Sequence, residues 1–540
     1  MDQVAENGMI GKTRWQLGCL IPFLAFLYYF TRHHSLSYLA GGSALLGLFC
    51  AAYLKWDKMR TDRYGMALFA LAMAGLPALG LWQYLQLRDP GDVDHASYAC
   101  ALWNMARGAT YYSINDMDFF GTHADYAGLL WIPVQALAGE TGLKIGKGLC
   151  LLIAAWLAIR RLKGQERIAT WGGAALLLSP PIASQFFNGF HLEFIAAPVL
   201  VLAFDAYRDK RLGRFLAYTG FLAYSKEIFT LAIGGILLVA LVERRPWKWI
   251  LLPGLLCCAQ MAVYWFVILP RFAPQGNNLA MFMPSSPGQI LAMWLRPNNL
   301  YYAFHLALPF LPLMLALPKR YLLLPLPLFA FYMAFPDPLF QSLWAHYSFP
   351  LAFMCFGGLL LHREADLASP IQSGGVAKEA EADSHASLDR LAGPAGSNPA
   401  LALGETRVGR ALMTCAFVSL LCYPIWRMVL SVPKHDAARL RDFATLRSLV
   451  PDTASLLINA SFTARFAARK DASDWVYRKK PITDFDCILL DAAFTSPSHG
   501  SVPQLQEDVT NLKASPDWNL AFERGSLYLF KKKPPVTAVE

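Results

Sequence analysis

Charge is scarce in this chain. Of its 540 residues 16% are charged and 55% are hydrophobic, where a soluble chain of this length carries about a quarter charged residues. That deficit excludes a disordered chain and a soluble multidomain enzyme. The ten cysteines show no C-x-x-C and no zinc-finger spacing, so neither a disulfide framework nor a cysteine metal site is supported. Most of them (Cys19, Cys50, Cys150, Cys257, Cys258, Cys355, Cys415, Cys422) fall inside apolar runs. No A-x-A cleavage site separates the first two apolar runs, so the first reads as a retained helix and not a removed signal peptide. Nor does an internal repeat relate two halves of the chain, as it does in many transporters.

What remains is apolar, aromatic and mildly basic. The net charge of +10 is not gathered into one patch, which argues against nucleic acid as a partner. Basic residues recur instead in short clusters between apolar runs, the pattern of cytoplasmic loops. The chain carries 34 prolines and 38 glycines, and they are not confined to loops, which membrane helices tolerate better than soluble ones. The class is a polytopic membrane protein.

Candidate spans are residues 17–30, 36–54, 66–85, 146–158, 169–186, 192–206, 215–225, 229–242, 250–269, 300–317, 322–335, 343–361 and 411–430. Residues 126–138 contain Pro133 and are short for a crossing, as a re-entrant or interfacial helix would be. Charge arbitrates. If 126–138 does not cross, the clusters around Lys58, Arg161, Arg211, Arg245 and Arg320 all fall on one side. That reading gives about thirteen spans, the N-terminus in the cytoplasm and the C-terminus outside. Lys144 and Lys147 on the outer side fit it badly.

The expected layout is a polytopic transmembrane domain over 1–362 with an outer-face loop at 87–125, a linker at 363–408, a last transmembrane helix at 409–432 and a tail at 433–540. The linker lacks any aromatic residue and cannot bury a core, so it reads as disordered and cytoplasmic. In the tail, 455–459 and 487–490 read as strands, 437–449 and 462–469 as helical, and 522–531 as a hairpin around Arg524-Gly525. A small extracytoplasmic α/β domain is expected.

Polar residues that are costly in a membrane protein gather on the expected outer face. The loop after the third span runs Asp89-Pro-Gly-Asp92-Val-Asp94-His95, then Trp103-Asn104, Asn115-Asp-Met-Asp118 and Gly121-Thr-His123. A solvated acidic loop is the ordinary account of such a stretch. The same face, however, also receives Asn188-Gly-Phe-His191-Leu-Glu193, Ser225-Lys226-Glu227 and His346-Tyr347. Such span ends often snorkel or pair with one another, but three of them beside an acidic loop are better explained by a site. His191 and Glu193 are two apart, so a regular helix would send them to nearly opposite sides unless His191 precedes its start. Several carboxylates are available to a divalent metal, yet no spacing compels one, and no cofactor is fixed.

These residues resemble a known family. Asp94-His-Ala-Ser-Tyr-Ala-Cys-Ala-Leu-Trp103-Asn104, followed by Gly108, is similar to the signature D-L-G-x-x-x-Q-x-x-W-N…G. That signature belongs to a domain-of-unknown-function family of bacterial polytopic membrane proteins related to the GT-C glycosyltransferases. His123 resembles the histidine of its H-F-S-P motif, Phe190-His191-Leu-Glu193 its F-H-P-E/D, Lys226-Glu227 its K-E-D, and His346-Tyr347 its H-Y. In the tail, Asn459 to Arg469 is similar to its A-x-N-x-x-x-x-x-L-A-x-R stretch. The chain departs from these patterns at His95-Ala96, Cys100, Leu192 and Ile228.

The resemblance implies a GT-C-like helical bundle that transfers a sugar from a polyprenyl-phosphate donor at the membrane lipid surface, with inversion. Its motif residues His123, His191, Glu193, Lys226, Glu227 and His346 are then expected to bind substrate. Such a transfer needs a carboxylate to accept the acceptor's proton and a cation to meet the departing phosphate. Asp94 is the carboxylate chosen, over Asp92 and Asp118. Lys226, Arg271 and Arg296 are the outer-side cations, Lys226 being preferred because the resemblance covers it. The low-charge outer loop 270–299 either folds over the donor's lipid or connects passively. Two other readings compete: a transporter or flippase, since intramembrane His, Glu and Lys also line substrate paths, and a non-catalytic envelope scaffold.

Overall fold

The computed structural model describes residues 61–87, 92–112, 114, 117–162, 166–273, 286–296, 299, 302, 306, 309–334, 346–362, 408–416, 418–419, 436–476, 478, 480–493 and 502–534. The two expected spans at 17–30 and 36–54, the linker up to residue 407, most of the last span and residues 274–285 of the outer loop lie outside them.

The described membrane part is mainly helical. Helix α1 (Thr61–Leu85) leads to α2 (Asp92–Met105). A two-residue hairpin, β1 (Tyr111–Tyr112) and β2 (Met117–Asp118), then feeds the single turn α3 (Phe119–Thr122). A 3-10 turn over Tyr126–Trp131 continues directly into α4 (Ile132–Arg161). Residues 126–138 and 146–158 therefore belong to one apolar stretch rather than two. The join is a kink at Gly139, whose φ of +61° is open to glycine and strained for other residues. Among the described residues, three helical stretches are long and apolar enough to cross a membrane: Gly65–Leu85, Tyr126–Arg161 and Lys248–Phe272.

The expected span at 169–186 is broken. Helix α5 (Glu166–Leu178) stops at Ser179, and α6 (Pro180–Phe187) restarts on Pro180-Pro181. Proline lacks an N–H and clashes with the preceding turn, so it ends one helix and suits the first turn of the next. After a 3-10 turn at Leu192–Ile195 come α7 (Ala196–Arg208), α8 (Leu212–Ala223), α9 (Ile228–Val242) and α10 (Lys248–Val263). A π-helical turn, Tyr264–Ile268, joins α10 to α11 (Leu269–Phe272). The shorter helices α12 (Pro287–Trp294), α13 (Leu311–Ala316) and α14 (Leu326–Ala334) precede α15 (Ser348–Leu361), every residue of which is buried. Close approach is built in at α9, where a Cβ on Gly235 would lie 1.9 Å from the Leu324 carbonyl oxygen.

The tail forms a five-stranded sheet in the order β4-β3-β5-β7-β6. Strands β3 (Leu456–Asn459), β4 (Ala472–Asp474) and β5 (Cys487–Asp491) run parallel, while β6 (Trp518–Arg524) and β7 (Leu527–Lys532) form the antiparallel edge. All residues of β3, β4 and β5 are buried, as strands covered on both faces must be. One face packs Leu446 and Val450, at the end of α16 (Ala437–Leu449), and the other packs Leu505, Val509 and Leu512 of α17 (Val502–Ala514). The expected strands, hairpin and first helix are present. Residues 462–469 are only one 3-10 turn, Thr463–Phe466, and β4 and α17 were not foreseen.

That turn docks the tail on the membrane part. Ala464, Ala467 and Ala472 join Ala96, Ala99, Cys100 and Leu143 in one buried cluster. Arg465 reaches Glu140 at 3.3 Å and Thr141 at 3.0 Å, and its guanidinium lies 4.1 Å from the Tyr84 ring centre. Helix α2 is thereby held between α4 and the tail.

Candidate active site

Two lysines shape the site from below. Lys147 of α4, 1% exposed, donates to the carbonyls of Asn188 (2.6 Å) and Gly189 (2.8 Å). Lys144, one turn earlier, donates to those of Phe187 and Asn188. The chain held in this way leaves His191 extended, with φ −134° and ψ 147°, just ahead of the 3-10 turn at Leu192–Ile195. Trp131 fixes that turn by donating from Nε1 to the Leu192 carbonyl at 3.0 Å. His191 therefore does precede the helix start, and it and Glu193 both belong to one cluster.

The cluster closes from three more segments. Lys226, in the turn between α8 and α9, donates to Glu193 Oε1 at 3.1 Å, with both side chains almost fully buried. His346, two residues before α15, places Nε2 at 3.6 Å from the same oxygen. Its ring stacks on His191 with centres 3.6 Å apart. Asp94, in the first turn of α2, brings Oδ2 to 3.7 Å from His191 Nε2. It lies inside the helix rather than on a loop before it. Its side chain is 56% exposed, whereas His191 beside it is 5% exposed.

Glu227 diverges from Lys226, as neighbours must, and takes His123. His123 Nδ1 donates to Glu227 Oε1 at 2.7 Å, and the Ala124 N–H donates to Oε2 at 3.2 Å. Asp125, two residues on, is the member that sequence reasoning missed. It is buried, and neither carboxylate oxygen has a hydrogen-bond partner among the described residues. Its only signal was an aspartate immediately before an apolar run, which reads as an ordinary span end.

Burial, reinforced by Lys226, pulls His191 well below its ordinary range, so its imidazole is neutral at pH 7. Burial lifts the Asp125 carboxyl against the pull of Lys226. For His123, burial works downward but Glu227 outweighs it and leaves the imidazole raised. Burial works upward on Glu227, yet His123 holds it down at about 2.

A pH signature follows from that pair. Glu227 contributes stability above its ordinary 4.5, which is lost as pH falls toward about 2. The His123 cation contributes below its ordinary 6.5, and this is lost as pH rises through its raised folded value. The gap in melting temperature between wild type and His123→Asn is therefore expected to be widest between those two ordinary values and to narrow at alkaline pH. A gap constant from acid to alkaline pH would show that the pair is not ionised.

The remaining sequence candidates are placed differently. Arg271 is exposed on α11, which packs on α3 near His123: a Cβ on Gly121 would sit 2.7 Å from the Phe272 carbonyl oxygen. Arg296 is exposed just after α12. Asp118 caps α3, its Oδ1 accepting the Phe120 N–H at 3.0 Å and its Oδ2 the Thr110 hydroxyl at 2.6 Å. The Asp92 side chain lies outside the described residues. Asp94, His191 and His346 each offer one ligand atom, all within 4.8 Å of one another.

The family model described as "Predicted membrane protein (DUF2079)" matches residues 90–373. No curated protein matches the chain. Among solved structures, the chain is similar to ArnT from Cupriavidus metallidurans bound to undecaprenyl phosphate. The two are 15% identical with a TM-score of 0.47, over 87% of this chain and 98% of that one. It is also similar to the arabinofuranosyltransferase AftD from Mycobacteria, at 13% identity and a TM-score of 0.43, over 86% of this chain and 40% of that one.

Proposed function

The chain belongs to the DUF2079 family of predicted membrane proteins, and from that premise we propose that it is a membrane glycosyltransferase. It moves a sugar from a polyprenyl-phosphate donor to an envelope acceptor on the outer face of a bacterial inner membrane. The observation that carries this reading is the position of Asp94, an exposed carboxylate over a buried group of two imidazoles and a lysine. An acceptor hydroxyl reaching the site gives its proton to Asp94 as its oxygen bonds to the anomeric carbon. The bond from that carbon to the donor phosphate breaks, with inversion, and the phosphate leaves with the electron pair. A positioned base contributes about a hundred- to ten-thousand-fold to such a step.

The exposed guanidinium groups of Arg271 and Arg296 receive the phosphate, while His123, His191, Glu193, Glu227 and His346 line the sugar's side. Lys226, neutralised by Glu193, holds that wall in place. In this reading the chain crosses the membrane about thirteen times, with residues 87–125 and the tail in the periplasm and the 363–408 linker in the cytoplasm. Lys144 and Lys147 do not count against that orientation. They are buried and bonded to backbone carbonyls, whereas the orientation rule counts charges in loops.

The test is an assay of the purified protein in detergent with radiolabelled polyprenyl-phosphate sugars. Release of polyprenyl phosphate together with a labelled glycoside is the expected result. Binding of the lipid without release, for every sugar offered, would favour a carrier or scaffold instead.

A further inference from the structure

The contacts among Asp94, His191 and His346 are not those of a finished hydrogen-bond network. His191 Nε2 stands 3.7 Å from Asp94 Oδ2, and His346 Nε2 stands 3.6 Å from Glu193 Oε1. Both separations exceed a hydrogen bond. The two imidazoles stack face to face, and both are buried. His191 Nδ1 and Glu193 Oε2 are buried with no hydrogen-bond partner among the described residues. Stacked core histidines normally satisfy their ring nitrogens, since a buried unpaired polar group costs about 1–3 kcal/mol. Here two buried polar atoms, His191 Nδ1 and Glu193 Oε2, stand unpaired beside a set of ligand atoms from Asp94, His191 and His346 that lie within 4.8 Å of one another.

We propose that Asp94, His191 and His346 bind a divalent transition-metal ion, with zinc as the best match. Their ligand atoms lie within 4.8 Å of one another. A tetrahedral ion with bonds of about 2.0–2.2 Å spaces its ligand atoms roughly 3.3–3.6 Å apart, so rotations that turn the two stacked rings toward a common point complete the set. Two imidazoles and one carboxylate favour zinc and its neighbours over magnesium or calcium, which prefer oxygen. Three protein ligands also leave the open position of a catalytic rather than a structural ion. The three ligands come from α2 and from the segments before the Leu192–Ile195 turn and α15, far apart in sequence, so folding must precede binding.

This inference deepens the proposed glycosyl transfer and rests on it for the ion's role. An ion held there would make an acceptor hydroxyl at the open position easier to deprotonate. The Asp94 oxygen turned away from the ion would take that proton as the acceptor oxygen bonds to the anomeric carbon. The C–O bond to phosphate breaks as before, and no oxidant or reductant is involved.

The experiment measures metal, not turnover, so it is independent of whether the right sugar has been found. Full-length protein carrying a tag free of histidine is stripped with chelator, loaded with Zn2+, desalted and analysed by elemental mass spectrometry. Wild type and His123→Asn should each retain about one equivalent, and His191→Gln and His346→Gln at least about tenfold less. X-ray absorption of the zinc-loaded wild type should show two imidazoles per ion, a readout that survives if either variant fails to fold. Retention below about a tenth of an equivalent in wild type, undiminished retention in both folded glutamine variants, or fewer than two imidazoles per ion would overturn the proposal. If zinc binds as expected but no sugar is transferred, the site stands and the proposed reaction falls.

Discussion

Asp94→Asn is expected to lower turnover at least about a hundredfold while leaving folding nearly untouched. The side chain is 56% exposed, so little packing or desolvation changes with it. Asparagine keeps its shape and suits the first turn of a helix about as well. What it loses is the ability to take a proton at pH 7. Initial rates with the labelled donor and a melting curve on the same sample check both halves of the statement. Asp118→Asn is the control: Asp118 caps α3 through Phe120 and Thr110, and the amide oxygen can keep the cap. A fully active Asp94→Asn enzyme would remove Asp94 from the chemistry, and a dead Asp118→Asn enzyme would move the base along the loop.

Lys226→Met is expected to cost about 3–5 kcal/mol of stability, the usual penalty for removing one partner of a buried ion pair. The pair it breaks is 1% and 0% exposed, so Glu193 would be left buried without its counter-ion. Adding Glu193→Gln to the same protein should recover most of the loss, because the orphaned charge goes with it. Chemical unfolding in mixed micelles, followed for wild type, both single variants and the double variant, closes the cycle. A single variant as stable as wild type would mean that the ammonium and the carboxylate are hydrated. A double variant no better than Lys226→Met would mean that packing of the lysine stem, not charge, accounts for the loss. The double variant should stay folded yet transfer poorly, since the wall behind the sugar has lost its fixed geometry.

Much of the site was legible because ionisable side chains are rare in an apolar chain and stand out wherever they occur. His191, Glu193, Lys226, Glu227 and His346 were all marked by their positions at the ends of apolar runs; the structure joins four of them in one cluster and turns Glu227 to His123. Spacing alone could not do this. His191 and Glu193 share a cluster only because the chain is extended at His191 and turns into a 3-10 helix at Leu192. Lys144 and Lys147, some forty residues earlier, hold the carbonyls just before it. A charge in an expected outer segment reads as solvated until its burial is known, so both lysines looked like a defect of topology. Asp125 was hidden for the opposite reason, lying against an apolar run where a charge is commonplace.

The fold was legible where one physical signal dominates. Strands β3 and β5 announce themselves by apolar runs, and the hairpin by Arg524-Gly525, where Gly525 adopts φ +59°. The break at Ser179-Pro180-Pro181 was passed over because hydropathy alone sees a continuous run. The join at Gly139 was missed because two runs separated by polar residues look like two elements. Strand β4 has three residues, too few for any pattern, and exists because β3 offers it a partner.

The clamping of α2 between α4 and the tail also sets a clock. Glu140 and Arg465, which meet across that interface, are 325 residues apart in the chain. At synthesis rates of about 5–20 residues per second, roughly 15–65 s separate the emergence of one wall from the other. Throughout that interval the helix bearing Asp94 has an uncovered face of alanines. A chain stopped before residue 464 therefore leaves that face of α2 without its cover.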